Sequence, residues 1–177
     1  LDEDLFHRDS PVIAGTGQEA AMLLSAHVPS MPLAMLERRL ETAAIEAPLA
    51  EAVPLRPLLE RLRGAGLRLG VATNDFEAVA HEHIAPVADL FDFVAGFDSG
   101  YGGKPQPGML LAFADACELM PHRVLMVGDS RHDLLAGRAA GMRTLAVLTG
   151  VAVAQDLADL ADALRPDIGH LPHLLNL

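Results

Sequence analysis

The 177-residue chain is short of lysine, of cysteine and of long apolar runs, and each shortage excludes something. Cys117 is its single cysteine, which excludes an internal disulfide framework and fits a reducing compartment. In its apolar surroundings the thiol reads as a small buried hydrophobe. No stretch of about 18 uncharged apolar residues occurs, and the opening Leu1-Asp2-Glu3-Asp4 is neither a signal peptide nor a membrane anchor. The expected location is the cytoplasm. Basic residues number 13 against 24 acidic ones, for a net charge of -11. That balance excludes the clustered positive surface that nucleic acid or an anionic membrane requires. A small anionic ligand then needs a locally positive pocket or a metal ion. Lys104 is the only lysine; every other residue in the basic count of 13 is arginine. A compact ammonium kept within Gly102-Gly103-Lys104-Pro105 marks a point charge that a planar guanidinium does not replace.

The hydrophobic fraction of 51% is enough for one ordinary core. From about residue 54 onward, β-like and helical runs alternate. Helical spacing over 55–67 is interrupted by Gly66 near its end, and a strand follows at 67–72. Further helices are predicted at 76–84, 107–119, 132–140 and 156–164, and further strands at 91–95, 123–127 and 144–148. The continuous apolar run Val124-Leu125-Met126-Val127 suits a parallel strand buried on both faces. This alternation predicts an α/β fold with a doubly wound parallel sheet. Residues 11–50 differ, with helices at 18–26 and 33–47 punctuated by Pro29, Pro32 and Pro48. They read as a small helical insertion near the N-terminus, leaving 1–10 and 51–177 as the core.

Ligands of open α/β sheets lie beyond the carboxyl ends of the strands. Thr73 and Asn74 follow the first strand and offer a hydroxyl, an amide and free helix N–H groups to phosphate oxygens. Lys104 follows the second and supplies positive charge. Asp129 and Asp133 follow the third, and paired carboxylates on a turn are hard oxygen ligands that suit Mg2+. Each feature also has a plain structural reading, as a helix cap or a charge at a helix start. That reading does not account for their shared place at the sheet's carboxyl end. His81 and His83 stand two apart on a helix and so do not form a ligand pair.

Thr73-Asn74, then Lys104-Pro105-Gln106-Pro107, then Gly128-Asp129-Ser130-Arg131-His132-Asp133 resembles motifs two, three and four of the haloacid dehalogenase superfamily, in its phosphoglycolate-phosphatase-like branch. The resemblance covers about residues 53–150. It implies a Rossmann-like core with residues 11–50 as the cap, and Mg2+-dependent hydrolysis of a small phosphorylated metabolite through an aspartyl-phosphate. It implies Asp2 as nucleophile, Asp4 as acid and base, and Lys104 as catalytic and substrate-binding cation. Thr73 and Asn74 are then substrate-binding, and Asp2, Asp4, Asp129 and Asp133 make up the metal site, with Asp133 orienting Lys104 or a metal-bound water. A monomer or homodimer without nucleic-acid or membrane partners is expected. Phosphoryl mutation, carbon–phosphorus cleavage and a non-catalytic relative are the alternatives. The family's first motif is a strand ending in Asp-x-Asp-Gly-Thr-Leu; here Leu5-Phe6 stand for Gly-Thr, and only Leu1 precedes Asp2. That departure leads to the expectation that residues are missing before Leu1, or between it and the cap.

Overall fold

The computed structural model describes residue 10 and residues 15–177, so Asp2 and Asp4 lie outside the described residues. Local signals set where helices start. Thr16 Oγ1 accepts from Glu19 N at 3.2 Å while Thr16 N donates to Glu19 Oε2 at 2.8 Å, a reciprocal cap that opens helix α1, Gly17–Ser25. Helix α2, Leu33–Ile45, follows Pro32 and packs against α1. Helix α3, Leu55–Gly64, buries Leu58, Leu59 and Leu62 on one face.

Five short parallel strands follow: β1 Gly70–Ala72, β2 Phe93–Ala95, β3 Leu125–Gly128, β4 Arg143–Val147 and β5 Ala163–Arg165. They form two groups. β1 pairs with β2 in the register Gly70↔Phe93, and β4 lies between β3 and β5, with Leu125↔Arg143 and Leu145↔Ala163 in register. Between them in sequence run α4 Glu77–Ile84, α5 Gly108–Ala116, α6 Arg131–Ala139 and α7 Ala154–Leu157; α8 Leu171–Leu174 comes last.

Helices cover both faces of the strands, as the doubly wound reading requires. On one face Met109, Leu110 and Ala114 of α5 and Ala136 of α6 pack with Ala72, Phe93, Val124 and Met126. On the other, Leu58 and Leu62 of α3 and Leu171 of α8 pack with Leu69, Leu125, Val127 and Leu145. Burial on this scale stabilises by about 1.5–3 kcal/mol per large side chain. Helix α2 of the helical pair rests on α4, where His83 Nε2 lies 2.9 Å from the Ala44 carbonyl. No helix among the described residues is long and apolar enough to cross a membrane.

One element differs from the sequence reading. The helix expected over 156–164 ends at Leu157, and Ala163–Arg165 forms β5 instead. Asp162 decides this: its carboxylate accepts from Thr144 N at 2.8 Å and its N–H donates to Thr144 O at 2.9 Å, drawing the segment onto β4. The remaining predicted elements occur, with the strands expected at 67–72, 91–95 and 123–127 shortened and the one expected at 144–148 moved by one residue.

Candidate active site

Three loops at the carboxyl ends of β1, β2 and β3 meet around Lys104. Its Nζ donates to the Ala72 carbonyl at 2.6 Å, at the end of β1, and pairs with Asp133 Oδ1 at 2.6 Å, in the first turn of α6. Both side chains are largely buried, at 11% and 8% exposure, so water screens this pair little. Asn74 holds the loop from the opposite side. Its Oδ1 accepts from Lys104 N at 2.7 Å and its Nδ2 donates to Lys104 O at 2.9 Å. The amide therefore clasps the loop that carries the ammonium. Thr73 adjoins Ala72; its Oγ1 accepts from Asp75 N at 3.0 Å, and its N–H donates to Ala95 O at 3.0 Å.

Asp133 is engaged at both oxygens. Oδ1 takes Lys104, while Oδ2 accepts from Ser130 N at 3.0 Å and Ser130 Oγ at 2.7 Å. Burial works against its charge, but the Lys104 ammonium and the hydrogen bonds from Lys104 and Ser130 outweigh it and hold the carboxyl below the usual carboxylate range. Among the two roles expected for Asp133, this geometry favours orienting Lys104. Ser130 carries more of the site than the sequence reading gave it. Its side chain forms a capping box with Asp133, a pattern readable as Ser-x-x-Asp before an apolar run.

Asp129 is half-buried and adjoins the same cleft as Lys104 and Asp133. Burial, then the charge of Asp133, pushes its carboxyl above the usual range, with Lys104 pulling the other way. A carboxylate whose charge is disfavoured by its surroundings gains from a cation beside it, so Asp129 fits a divalent metal. Among the described residues no group of three His, Cys, Asp or Glu gathers, so Asp129 supplies one part of such a site, as suits an ion that takes one or two carboxylates and completes its shell with water. Two glycines make room for these acids. A Cβ at Gly128 would lie 2.2 Å from Asp133 Cβ, and one at Gly150 would lie 2.6 Å from Asp129 Oδ2. Nothing in the local sequence around Gly150 announces that contact. His81 and His83 diverge, the first exposed beside Glu77 and the second against α2.

Residues 23–141 match the model of the haloacid dehalogenase-like hydrolases. This chain belongs to that family. Its similarity to the phosphoglycolate phosphatase of Nitrosospira multiformis is 38% identity over 117 residues, 64% of this chain and 52% of the relative. The Escherichia coli K12 phosphoglycolate phosphatase is 34% identical over 113 residues, 62% of this chain and 43% of the relative. The chain thus spans about half the length of the curated relatives it matches. Among solved structures, a haloacid dehalogenase-like hydrolase from Bacteroides fragilis superposes with a TM-score of 0.76 at 23% identity, covering 90% of this chain and 79% of the other. CbbY from Rhodobacter sphaeroides, in complex with phosphate, superposes with a TM-score of 0.71 at 25% identity, covering 88% of this chain and 75% of the other. In this haloacid dehalogenase-like hydrolase, Thr73, Lys104 and Asp129 sit in the loops beyond the carboxyl ends of the strands, where ligands of such sheets bind, and Asp133 lies beside them in the first turn of α6.

Proposed function

We propose that this protein is a Mg2+-dependent phosphatase that hydrolyses a small phosphomonoester, with 2-phosphoglycolate as the first substrate to try. The observation that carries the reading is the Lys104 ammonium held between the Ala72 carbonyl and Asp133, within the cleft that Asp129 also lines. A fixed positive charge in a largely buried setting is what a transferring phosphoryl group needs for its equatorial oxygens. Phosphoglycolate comes from the curated relatives.

In this reading the Asp2 carboxylate oxygen attacks phosphorus in line. The bond from phosphorus to the alcohol oxygen breaks, and Asp4 gives that oxygen its proton. Water then attacks the phosphorus of the aspartyl-phosphate, Asp4 takes the water's proton, and phosphate leaves as the Asp2 carboxylate is restored. Lys104 and the Thr73 hydroxyl stabilise charge on the oxygens in flight; Asn74 keeps the Lys104 loop in place. Asp129, with Asp2 and the Asp4 backbone carbonyl, would hold Mg2+, which when bound offsets the repulsion between carboxylate and phosphoryl group. The α1–α2 pair acts as the cap, and the cytoplasm is the place of action.

The test is phosphate release from a panel of small phosphomonoesters, 2-phosphoglycolate included, with Mg2+ and with excess chelator. Release that needs Mg2+ and favours one small ester supports the reading. Absence of release from every ester in the panel with Mg2+ present counts against it.

A further inference from the structure

We propose that Arg131 is a positioning residue for Asp129: its guanidinium fork on Asp159 and the Asp156 carbonyl holds the loop of residues 148–153 against the Asp129 carboxyl group. This role rests on the reading of Asp129 as a ligand to Mg2+, and Arg131 acts on the ion only through that side chain.

The link begins at Gly150. A Cβ there would lie 2.6 Å from Asp129 Oδ2 and 2.7 Å from Asp129 Cγ, so the bare Gly150 backbone packs on the carboxyl group itself. At such close packing neither partner shifts without the other. Where the loop sits therefore decides which orientation of the Asp129 carboxyl is open. Mg2+ demands near-ideal octahedral geometry, so a carboxylate oxygen moved from its place binds the ion less well.

Burial does little to hold this loop. Leu148, Thr149, Gly150 and Val151 are exposed, while Ala152 packs on the small cluster of Leu134, Ala146 and Leu157. The loop's attachments lie at its two ends. Leu148 N donates to Arg165 O at 3.2 Å and to Pro166 O at 3.0 Å, which fixes the start beside the end of β5. The far end runs into α7, where Val153 N donates to Asp156 Oδ2 at 3.1 Å. Helix α7 has four residues, too few to hold their shape alone, so this end needs an outside fastening.

Arg131 supplies that fastening. It is the first residue of α6, two positions after Asp129. Its Nη1 donates to Asp156 O at 2.5 Å and to Asp159 Oδ1 at 2.7 Å, and its Nη2 donates to Asp159 Oδ2 at 2.9 Å. A planar fork on both carboxylate oxygens sets orientation as well as distance. The path closes on itself: from Asp129 along the chain to Arg131, across the guanidinium to α7, back through the loop to Gly150, and from Gly150 to Asp129. Both terminal nitrogens are engaged at Asp156 and Asp159, which favours fastening over a contact with substrate. Arg131 and Asp159 are 45% and 60% exposed, so the pair adds little to global stability and its consequence is local.

The experiment measures Mg2+ binding by isothermal titration calorimetry for the wild-type chain, Arg131→Gln, Asp159→Asn and the double variant. Amide order parameters at Gly150 and Val151 are read by NMR relaxation without metal. Each single substitution should weaken Mg2+ binding about tenfold, and the double variant should be no weaker than either, since both remove the same fork. The order parameters should fall from about 0.85 to below about 0.6. The melting temperature should move by less than about 3 °C, because the pair is exposed. Direction separates positioning from a simple field effect, for loss of a positive charge near the ion would by itself tighten Mg2+ binding. Unchanged or tighter binding in Arg131→Gln overturns the proposal, as do losses that add in the double variant. A raised KM for p-nitrophenyl phosphate with unchanged Mg2+ affinity overturns it too, by making Arg131 a substrate contact. So does a larger fall in melting temperature with unchanged order at Gly150, the mark of general packing. If the wild-type chain binds no Mg2+, the metal role of Asp129 fails, and the order parameters alone decide whether Arg131 seats the loop.

Discussion

The loops at the sheet's carboxyl end and the helical pair α1–α2 use their side chains in opposite ways. At the loops, charged groups are buried and hydrogen-bonded: Lys104 and Asp133 sit at 11% and 8% exposure with named partners on every side. On the helical pair, apolar groups face outward: Met22, Leu23 and Met35 are 50%, 48% and 51% exposed. Buried charge costs free energy unless it is paired and hydrogen-bonded, so substitutions that remove one partner at these loops should be costly. Exposed apolar side chains on a two-helix unit tolerate change, and unbranched Met adapts readily to varied neighbours. One region is built to hold fixed charges, the other to adapt.

Substitutions test that contrast, and the largest effect is expected at the ion pair. Asp133→Ala strands the Lys104 ammonium in a buried site and should lower unfolding stability by about 3–5 kcal/mol, read from urea denaturation midpoints. A loss similar to that of exposed pairs such as Arg131–Asp159 would erase the distinction between the regions. Next comes the metal. Mg2+ should raise the melting temperature of the wild-type chain, because it relieves the unfavourable charge on Asp129. Asp129→Asn should abolish that rise, and Gly150→Ala, whose methyl meets the Asp129 carboxylate, should weaken it.

A smaller effect belongs to Asp92, which ties the end of α3 to the approach to β2. Burial works to raise its pKa, but Arg63, the Leu69 N–H and Arg68 outweigh that and hold the carboxyl below its ordinary value. The folded state then binds fewer protons than the unfolded one. The stability from this group is present above the unfolded carboxylate pKa of about 3.9 and is lost as pH falls through the depressed folded value. Asp92→Asn should remove about 1–2 kcal/mol at pH 7 and flatten the acid limb of a melting-temperature profile. The smallest effect is expected on the helical pair. Met22→Ala and Met35→Ala should each change stability by less than about 0.5 kcal/mol.

The clustering of several candidate residues was legible because they are rare or follow the strands of the sheet. A lone lysine in an arginine-rich chain stood out, and the residues after three predicted strands proved to be neighbours. What escaped depends on contacts between distant segments. β5 was read as helix because its pairing with β4 is stabilised by Asp162 and Thr144, a relation that no local periodicity carries. The engagement of both Asp133 oxygens, and the clasp of Asn74 on the Lys104 backbone, likewise need the folded geometry.

The central claim is that Lys104 and Asp129 serve one phosphoryl-transfer site. It is tested most directly by Mg2+-dependent hydrolysis of p-nitrophenyl phosphate by the wild-type chain and by Lys104→Ala, Asp129→Ala and His81→Ala. The account predicts that the first two substitutions lower kcat by about 100-fold or more, while His81→Ala leaves the rate unchanged. Wild-type rates in Lys104→Ala and Asp129→Ala would contradict it.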